Sequence, residues 1–421
     1  MGCGFLPVDT EVNKYLVKCS FEGDTRPEKD RGTIKETIAA GGFTTVRYTN
    51  EFWTSRQRQA ASIHEISYRA CFKPQLPRFF INMLTRPGDM VYDPFSGRGT
   101  TAVEAALMGR QVIANDINPL SKILTAPRLA LPEFDDIRQR LSEIPFYHNL
   151  SGETDLSMFY DPKTESELLS LRNYLIGKEE HSPDDPDCWI RMVATNRLTG
   201  HSKGFFSVYT MPPNQAISAE SQKKINLKRG QKPEYRDVKK IIEHKTGQLL
   251  RNLDAEQQGN LRKASKRALF LENDAAETSA IPSESINLTV TSPPFLNVVQ
   301  YSRDNWLRCW FNNIDLEKVE KNITMAATLD QWTTVINAVF RELYRITKTG
   351  GWVAFEVGEI RSGRVKLEEE VIPLGLENGF ACAGVVVNRQ MFTKTSNIWG
   401  IKNNHAGTNS NRIVLFKKPG S

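Results

Sequence analysis

The chain has 421 residues, 39% hydrophobic and 25% charged, the mix of an ordinary soluble globular protein, long enough for two or three domains. No apolar run approaches the length needed to cross a bilayer, and no basic region leads into an apolar stretch at the N-terminus, so no membrane partner and no secretory signal are expected. Six scattered cysteines without a CxxC, and six histidines without close pairs, give no ligand set for a metal and point to reduced thiols in a cytoplasmic protein. Net charge is +6, but Lys223 to Arg267 carries fourteen Lys/Arg against five Asp/Glu. A basic block of that density suits a surface that meets phosphate, although a solvated helical face has the same composition.

Residues 1–50 are polar and without period, and read as an N-terminal extension. A helix is expected within Ser62–Met83, opened by Pro74 and Pro77, then a turn at Pro87-Gly88-Asp89 and a short strand at Met90–Tyr92. Thr100–Met108 reads as a helix capped by Gly109, and Gln111–Asn115 as a second strand. Strand, turn, helix, strand in this order opens a parallel α/β sheet, with residues 51–129 as its first part. Residues 130–265 are polar and proline-punctuated, an inserted helical region that ends in the basic block. Strands return at Ala268–Glu272 and Ile286–Thr291, followed by a helix at Asp330–Ile346 and strands at Trp352–Val357, Ala381–Val387 and Arg412–Phe416. Residues 266–421 form the second part of one doubly wound domain.

Two constellations carry chemistry. Asp93-Pro94-Phe95-Ser96-Gly97-Arg98-Gly99-Thr100 follows a strand and opens a helix, so backbone can approach a ligand closely. Asp116 ends the next strand, nineteen residues beyond Gly97, where a carboxylate can take both hydroxyls of a ribose. With no P-loop lysine and an incomplete dinucleotide fingerprint, a nucleoside ligand without pyrophosphate fits better than NAD or ATP. The second constellation, Thr291-Ser292-Pro293-Pro294-Phe295, leaves an apolar strand through two prolines that fix a rigid loop at the sheet's ligand-binding edge. Such a loop presents the Ser292 hydroxyl, the Pro293 carbonyl and the Phe295 ring together, which suits an amino group on a planar base.

Together these segments resemble the amino-group S-adenosylmethionine-dependent DNA methyltransferases. DPFSGRGT, VEAALMGR and NDINPL look like their cofactor site, TSPPF like their catalytic motif, and the stretch His64–Pro74 like the motif that closes over the methionine part of the cofactor. The resemblance covers residues 62–125 and 268–357 and leaves out 1–50 and 130–265. It implies a Rossmann-like class I methyltransferase sheet with helices on both faces. By position it assigns Tyr68, Phe72, Lys73, Asp93, Pro94, Phe95, Gly97, Gly99 and Thr100 to the methionine end of S-adenosylmethionine. Asp116 falls to the ribose, Ile117 to the adenine and Asp274 to the adenine amino group. Ser292, Pro293, Pro294 and Phe295 fall to the target base.

Family members with Ser before Pro-Pro usually act on cytosine N4, those with Asp or Asn on adenine N6. The resemblance therefore implies N4-methylcytosine formation on a flipped cytosine in double-stranded DNA, most like the cytosine-N4 members, with N6-adenine as the alternative. C5 chemistry is disfavoured, because no cysteine here follows a proline to serve as nucleophile. An RNA base methyltransferase and a silent nucleic-acid-binding subunit are the rival readings. The resemblance also leaves room for a cognate restriction endonuclease of a restriction-modification pair. The insertion is the candidate recognition region, with Lys223, Lys224, Lys228 and Arg229 as phosphate contacts and the loop 395–412 as a rival. Trp306 and Trp310 read as helix packing, Gln300–Arg303 as either DNA contacts or pocket edge, and Glu356 and Glu359 as rim carboxylates.

Overall fold

The computed structural model describes residues 4–5, 10–19, 31–54, 60–69, 71–178, 182–207, 216–294, 301–322, 326, 328–360, 365–389 and 410–420. A short strand β1 (Gly4–Phe5) and helix α1 (Thr10–Lys18) precede a hairpin of β2 (Ile34–Ala40) and β3 (Phe43–Asn50). The stretch expected to be an irregular extension is thus in part a structured hairpin. Its turn is Gly41-Gly42, with φ of 56° and 83°. Two successive residues with positive φ are what a tight hairpin turn needs to match the twist of its strands.

Helix α2 (Gln75–Leu84) leads to β4 (Met90–Asp93), α3 (Thr100–Leu107), β5 (Gln111–Asn115) and α4 (Leu120–Ala130). The insertion folds as α5 (Phe134–Glu143), α6 (Pro162–Ile176), α7 (Pro186–Arg197), α8 (Ala219–Arg229), α9 (Val238–Leu250) and α10 (Ala255–Ser265). Its polar composition is compatible with helix because five of the six start on a side-chain cap, from Asp161, Asp185, Ser218, Asp237 and Asp254. Then come β6 (Leu269–Leu271), β7 (Ile286–Thr291), α11 (Tyr301–Phe311), α12 (Leu316–Asn322), α13 (Leu329–Ile346) and β8 (Thr347–Val357). A small pair, β9 (Glu359–Ile360) and β10 (Val365–Lys366), precedes α14 (Leu367–Glu377), β11 (Ala381–Arg389) and β12 (Ser410–Lys417).

The main sheet runs β1-β3-β11-β12-β8-β7-β4-β5-β6, with β2 on the other side of β3. Strands β6, β5, β4, β7 and β8 are parallel, and β12 is antiparallel between β8 and β11. From β4 the chain winds outward through β5 and β6, then returns to the opposite side of β4 through β7. The edge between β4 and β7 is therefore the switch point at which such sheets bind ligands. Helices α2, α3 and α4 share one core with much of the insertion, while α13 and α14 fill the opposite face. Asn260 and Arg262 of α10 bond the carbonyls of Leu107 and Leu131, so the insertion is fastened to the sheet's own helices. Among the described residues no helix is long and apolar enough to cross a membrane.

Candidate active site

A cavity opens at the carboxyl ends of β4, β5, β6 and β7, with about 1040 Å³ of space free of protein atoms, its open mouth included. Of the residues singled out in the sequence, Tyr68, Pro94, Phe95, Gly97, Asp116, Ile117, Asp274, Ser292 and Pro294 line it. Phe72, Lys73, Asp93, Gly99, Thr100 and Pro293 are not among the lining residues. Phe295 lies outside the described residues.

The glycine loop is built by short-range demands. Gly97 and Gly99 hold φ of 53° and 72°, a region that side chains with a Cβ rarely enter. At Gly99 a Cβ would sit 2.2 Å from Thr125 Oγ1, so the glycine lets α3 and α4 approach. The Gly97 N–H donates to Asp116 Oδ2 at 2.8 Å, and Asn118 N–H donates to Oδ1 at 2.9 Å. Burial raises the Asp116 carboxyl above its ordinary range, and these two bonds work against that shift. Each carboxylate oxygen keeps a further lone pair for a ligand.

Behind the rim, Asp93 is fully buried and accepts Thr291 Oγ1 at 2.6 Å and Phe95 N–H at 3.1 Å through Oδ1. Burial pushes it up to about 6, against those bonds. Thr100 sits in the first turn of α3 and accepts Arg98 Nε at 3.1 Å. Arg98 also donates to the carbonyls of Ile66 (2.5 Å) and Phe72 (3.4 Å), which fastens the segment before α2 onto the glycine loop. Arg128 repeats the tie through the carbonyls of Ile63 and Arg98. Phe72 thus contributes a backbone oxygen, and Lys73 is exposed.

Three functional features escaped the sequence reading. Asn115, the last residue of β5, donates to Pro94 O (3.2 Å) and Asn273 O (2.9 Å) and accepts from Asn273 N (3.0 Å), so one amide clamps the loops after β4 and β6. Helix α13 supplies an apolar wall of Trp332, Val335, Ile336 and Val339, at the spacing of one helical face. Trp332 Nε1 also donates to Pro294 O at 3.0 Å, which holds the loop after β7. The crossover 272–285 contains no helix, and α13 borders the cavity beside Asn273, Asp274 and Ala275.

The third feature corrects an expectation. Glu356 is not a rim carboxylate: it is 9% exposed, inside β8, beside the end of β7. Burial pushes it up to about 7, opposed by hydrogen bonds from Asn411 and Ser292. The side chain of Glu359 lies outside the described residues.

In the basic block, Lys223 pairs with Asp155 at 3.0 Å, while Lys224, Lys228 and Arg229 are exposed along α8, as is Leu227 at 84%. Further along, Lys245 and Arg251 pair with Glu65, and Arg262 with Glu133, so part of the block does structural service. The approach to α8 is anchored near the cavity: Ala216 N–H donates to Asp304 O, and Asp304 takes Arg69 of the cavity wall at 2.7 Å. Trp306 and Trp310 pack as expected, against Phe159 and under Arg172. Gln300 and the side chains of 301–303 lie outside the described residues, as does the loop 395–412 up to residue 409. Among the described residues no His/Cys/Asp/Glu cluster could hold a metal.

Residues 18–123 match a family described as DNA methylase, of the N6/N4 type. The chain is 23% identical to the type II methyltransferase M.BsoBI of Geobacillus stearothermophilus over 76% of its own length and 68% of the relative's. It is 30% identical to M.MjaII of Methanocaldococcus jannaschii over 32% of its length, spanning only 24% of that protein. Among solved structures, a SAM-dependent methyltransferase of Methanosarcina mazei aligns over 81% of this chain and 98% of its own, at 10% identity and a TM-score of 0.30.

Proposed function

We propose that this chain, whose residues 18–123 match the N6/N4 DNA methylase family, is an amino-group DNA methyltransferase that methylates the exocyclic N4 amine of a cytosine flipped out of duplex DNA. The donor is S-adenosylmethionine, and its fit rests on the cavity itself. Asp116 offers two oxygens already oriented by backbone N–H groups. Gly97 leaves clear the space where a Cβ would approach Cys71 Sγ (3.4 Å) and the Tyr68 ring. When bound, the cofactor supplies a methyl group already activated on a sulfonium.

The protein's contribution is then position. Tyr68, Phe95 and Gly97 border the methionine end, Asp116 holds the ribose, and Ile117, Asp274 and the wall of α13 border the adenine. Ser292 accepts a hydrogen bond from the target amine, which draws the nitrogen lone pair out of conjugation and aims it at the methyl carbon. The roles of Pro293, a carbonyl for the second amine hydrogen, and of Phe295, a ring for the base, come from the motif alone. Lys224, Lys228 and Arg229 of α8 meet phosphates and bring the duplex to the cavity mouth.

The observation that carries this reading is one cavity bordered by both Asp116 and the Ser292-Pro293-Pro294 loop. Serine at the head of the loop favours cytosine. The test is methyl transfer from labelled S-adenosylmethionine to unmodified duplex DNA, followed by mass analysis of the nucleosides. N4-methylcytosine that disappears in Ser292→Ala is the expected product. N6-methyladenine would overturn the choice of base, and methylation of RNA alone would overturn the choice of nucleic acid.

A further inference from the structure

A serine hydroxyl is a weaker acceptor than the Asp or Asn side chain that heads this loop in adenine-type relatives, and it can also rotate to donate. Whatever fixes the Ser292 rotor therefore decides whether the loop receives an amine hydrogen or offers one of its own. The register answers what stands behind it. Thr291, the last residue of β7, is paired with Phe355 of β8, so Ser292, just past the end of the strand, follows on beside Glu356. From the other flank, β12 pairs Ile413 with Glu356, and Asn411 Nδ2 donates to Glu356 Oε1 at 2.6 Å. The Ser292 hydroxyl is the other group that lowers the Glu356 carboxyl from where burial alone would put it.

Resting on the amine-transfer reading above, we infer that Glu356 is a positioning residue that acts through Ser292. It takes the hydroxyl proton in a hydrogen bond and leaves both lone pairs of Oγ facing the substrate amine. The negative charge needed to strengthen the acceptor is thereby supplied from the neighbouring strand rather than from the loop. A carboxylate in this place is effective only when ionised; protonated, it could donate to Oγ and turn the hydroxyl proton toward the substrate.

Burial is what raises this carboxyl, to about 7, and the bonds from Asn411 and Ser292 lower it. Both of these partners are uncharged, and the next residue on β12, Arg412, pairs with Glu368 of α14 at 2.6 Å. Acceptor strength at Ser292 therefore switches on as pH rises through neutrality.

The test is single-turnover methylation of unmodified duplex DNA by the full chain across about pH 5.5 to 8.5, for wild type, Glu356→Gln and Glu356→Asp. A glutamine replaces one accepting oxygen by a donor, so Asn411 and Ser292 compete for the one that remains. The rate in Glu356→Gln is expected to fall about a hundredfold with little change in cofactor affinity. Its pH profile should lose the rise near neutrality that wild type shows, and Glu356→Asp should restore part of that rise. Calorimetric S-adenosylmethionine binding and melting temperature establish that each variant is folded. A folded Glu356→Gln with the wild-type rate and profile would overturn this inference while leaving the function intact. A wild type that transfers no methyl group to DNA would overturn the function, and this inference with it.

Discussion

Thr291 Oγ1 donates to Asp93 Oδ1 at 2.6 Å, a bond between the last residue of the strand that leads into the Ser292-Pro293-Pro294 loop and the last residue of the strand that leads into the glycine loop. Both partners are fully buried. The two halves of the cavity are therefore tied by a side-chain bond beneath it, beyond the pairing of β4 with β7.

Thr291→Val keeps the shape and removes the donor. Leaving a buried carboxylate short of one partner is expected to cost about 1–3 kcal/mol of stability. Because the bond spans both loops, cofactor affinity and the rate of transfer should weaken together. Denaturant unfolding, calorimetric titration with S-adenosylmethionine and single-turnover assays would check this, and a loss confined to one of the two loops would contradict it.

The raised value of Asp93 has a definite sign. Burial lifts it from 3.8 to about 6 in the folded protein, so folding favours its protonated form, and the associated stability is present at low pH and lost as pH rises toward 6. Asp93→Asn cannot ionise. Measured as unfolding free energy, the variant's stability relative to wild type should fall by on the order of 2–3 kcal/mol from pH 7 to pH 4. A pH-independent difference would show that the carboxylate is not desolvated as its burial implies.

Trp332 serves two purposes that substitutions can separate. Trp332→Phe retains an aromatic wall but removes the N–H that holds Pro294 O, and should slow transfer about tenfold at nearly unchanged cofactor affinity. Trp332→Ala also opens the wall and should weaken cofactor binding. Equal cofactor dissociation constants for the two variants would contradict this division.

On α8, the double variant Lys224→Ala, Lys228→Ala removes two exposed cations without touching the cavity. If both meet phosphate, the slope of log affinity against log salt should become shallower by about 1.8 on duplex DNA. Equilibrium binding at several salt concentrations measures it, and an unchanged slope would remove α8 from the interface.

The legible part of this site was the part encoded by neighbours in sequence. DPFSGRGT and TSPPF are loops whose glycines and prolines dictate their own backbone, so their place at the ends of strands could be read directly. Asn115 looked like one more strand residue, because its two loop partners arrive from segments 21 and 158 residues away. Glu356 looked like a rim residue because nothing local reveals that β12 will cover it. The hairpin at 34–50 was overlooked although Gly41-Gly42 marks it, since its outer strand is mostly exposed and shows no clean alternation. In the insertion the helical character was legible as a region, while the pairing of Lys223 with Asp155 depends on a contact across 68 residues.

The hairpin also has a place in the order of synthesis. Strand β3 lies parallel to β11, and Asn388 Oδ1 accepts the backbone N–H of Phe52, 336 residues earlier. Strands β2 and β3 must therefore wait while the long stretch of chain between Asn50 and Ala381 is made before the strand that receives them appears. Until β11 emerges, β3 has only β2 beside it along residues 47–50, an open edge of the kind that chaperones shield and other chains can invade.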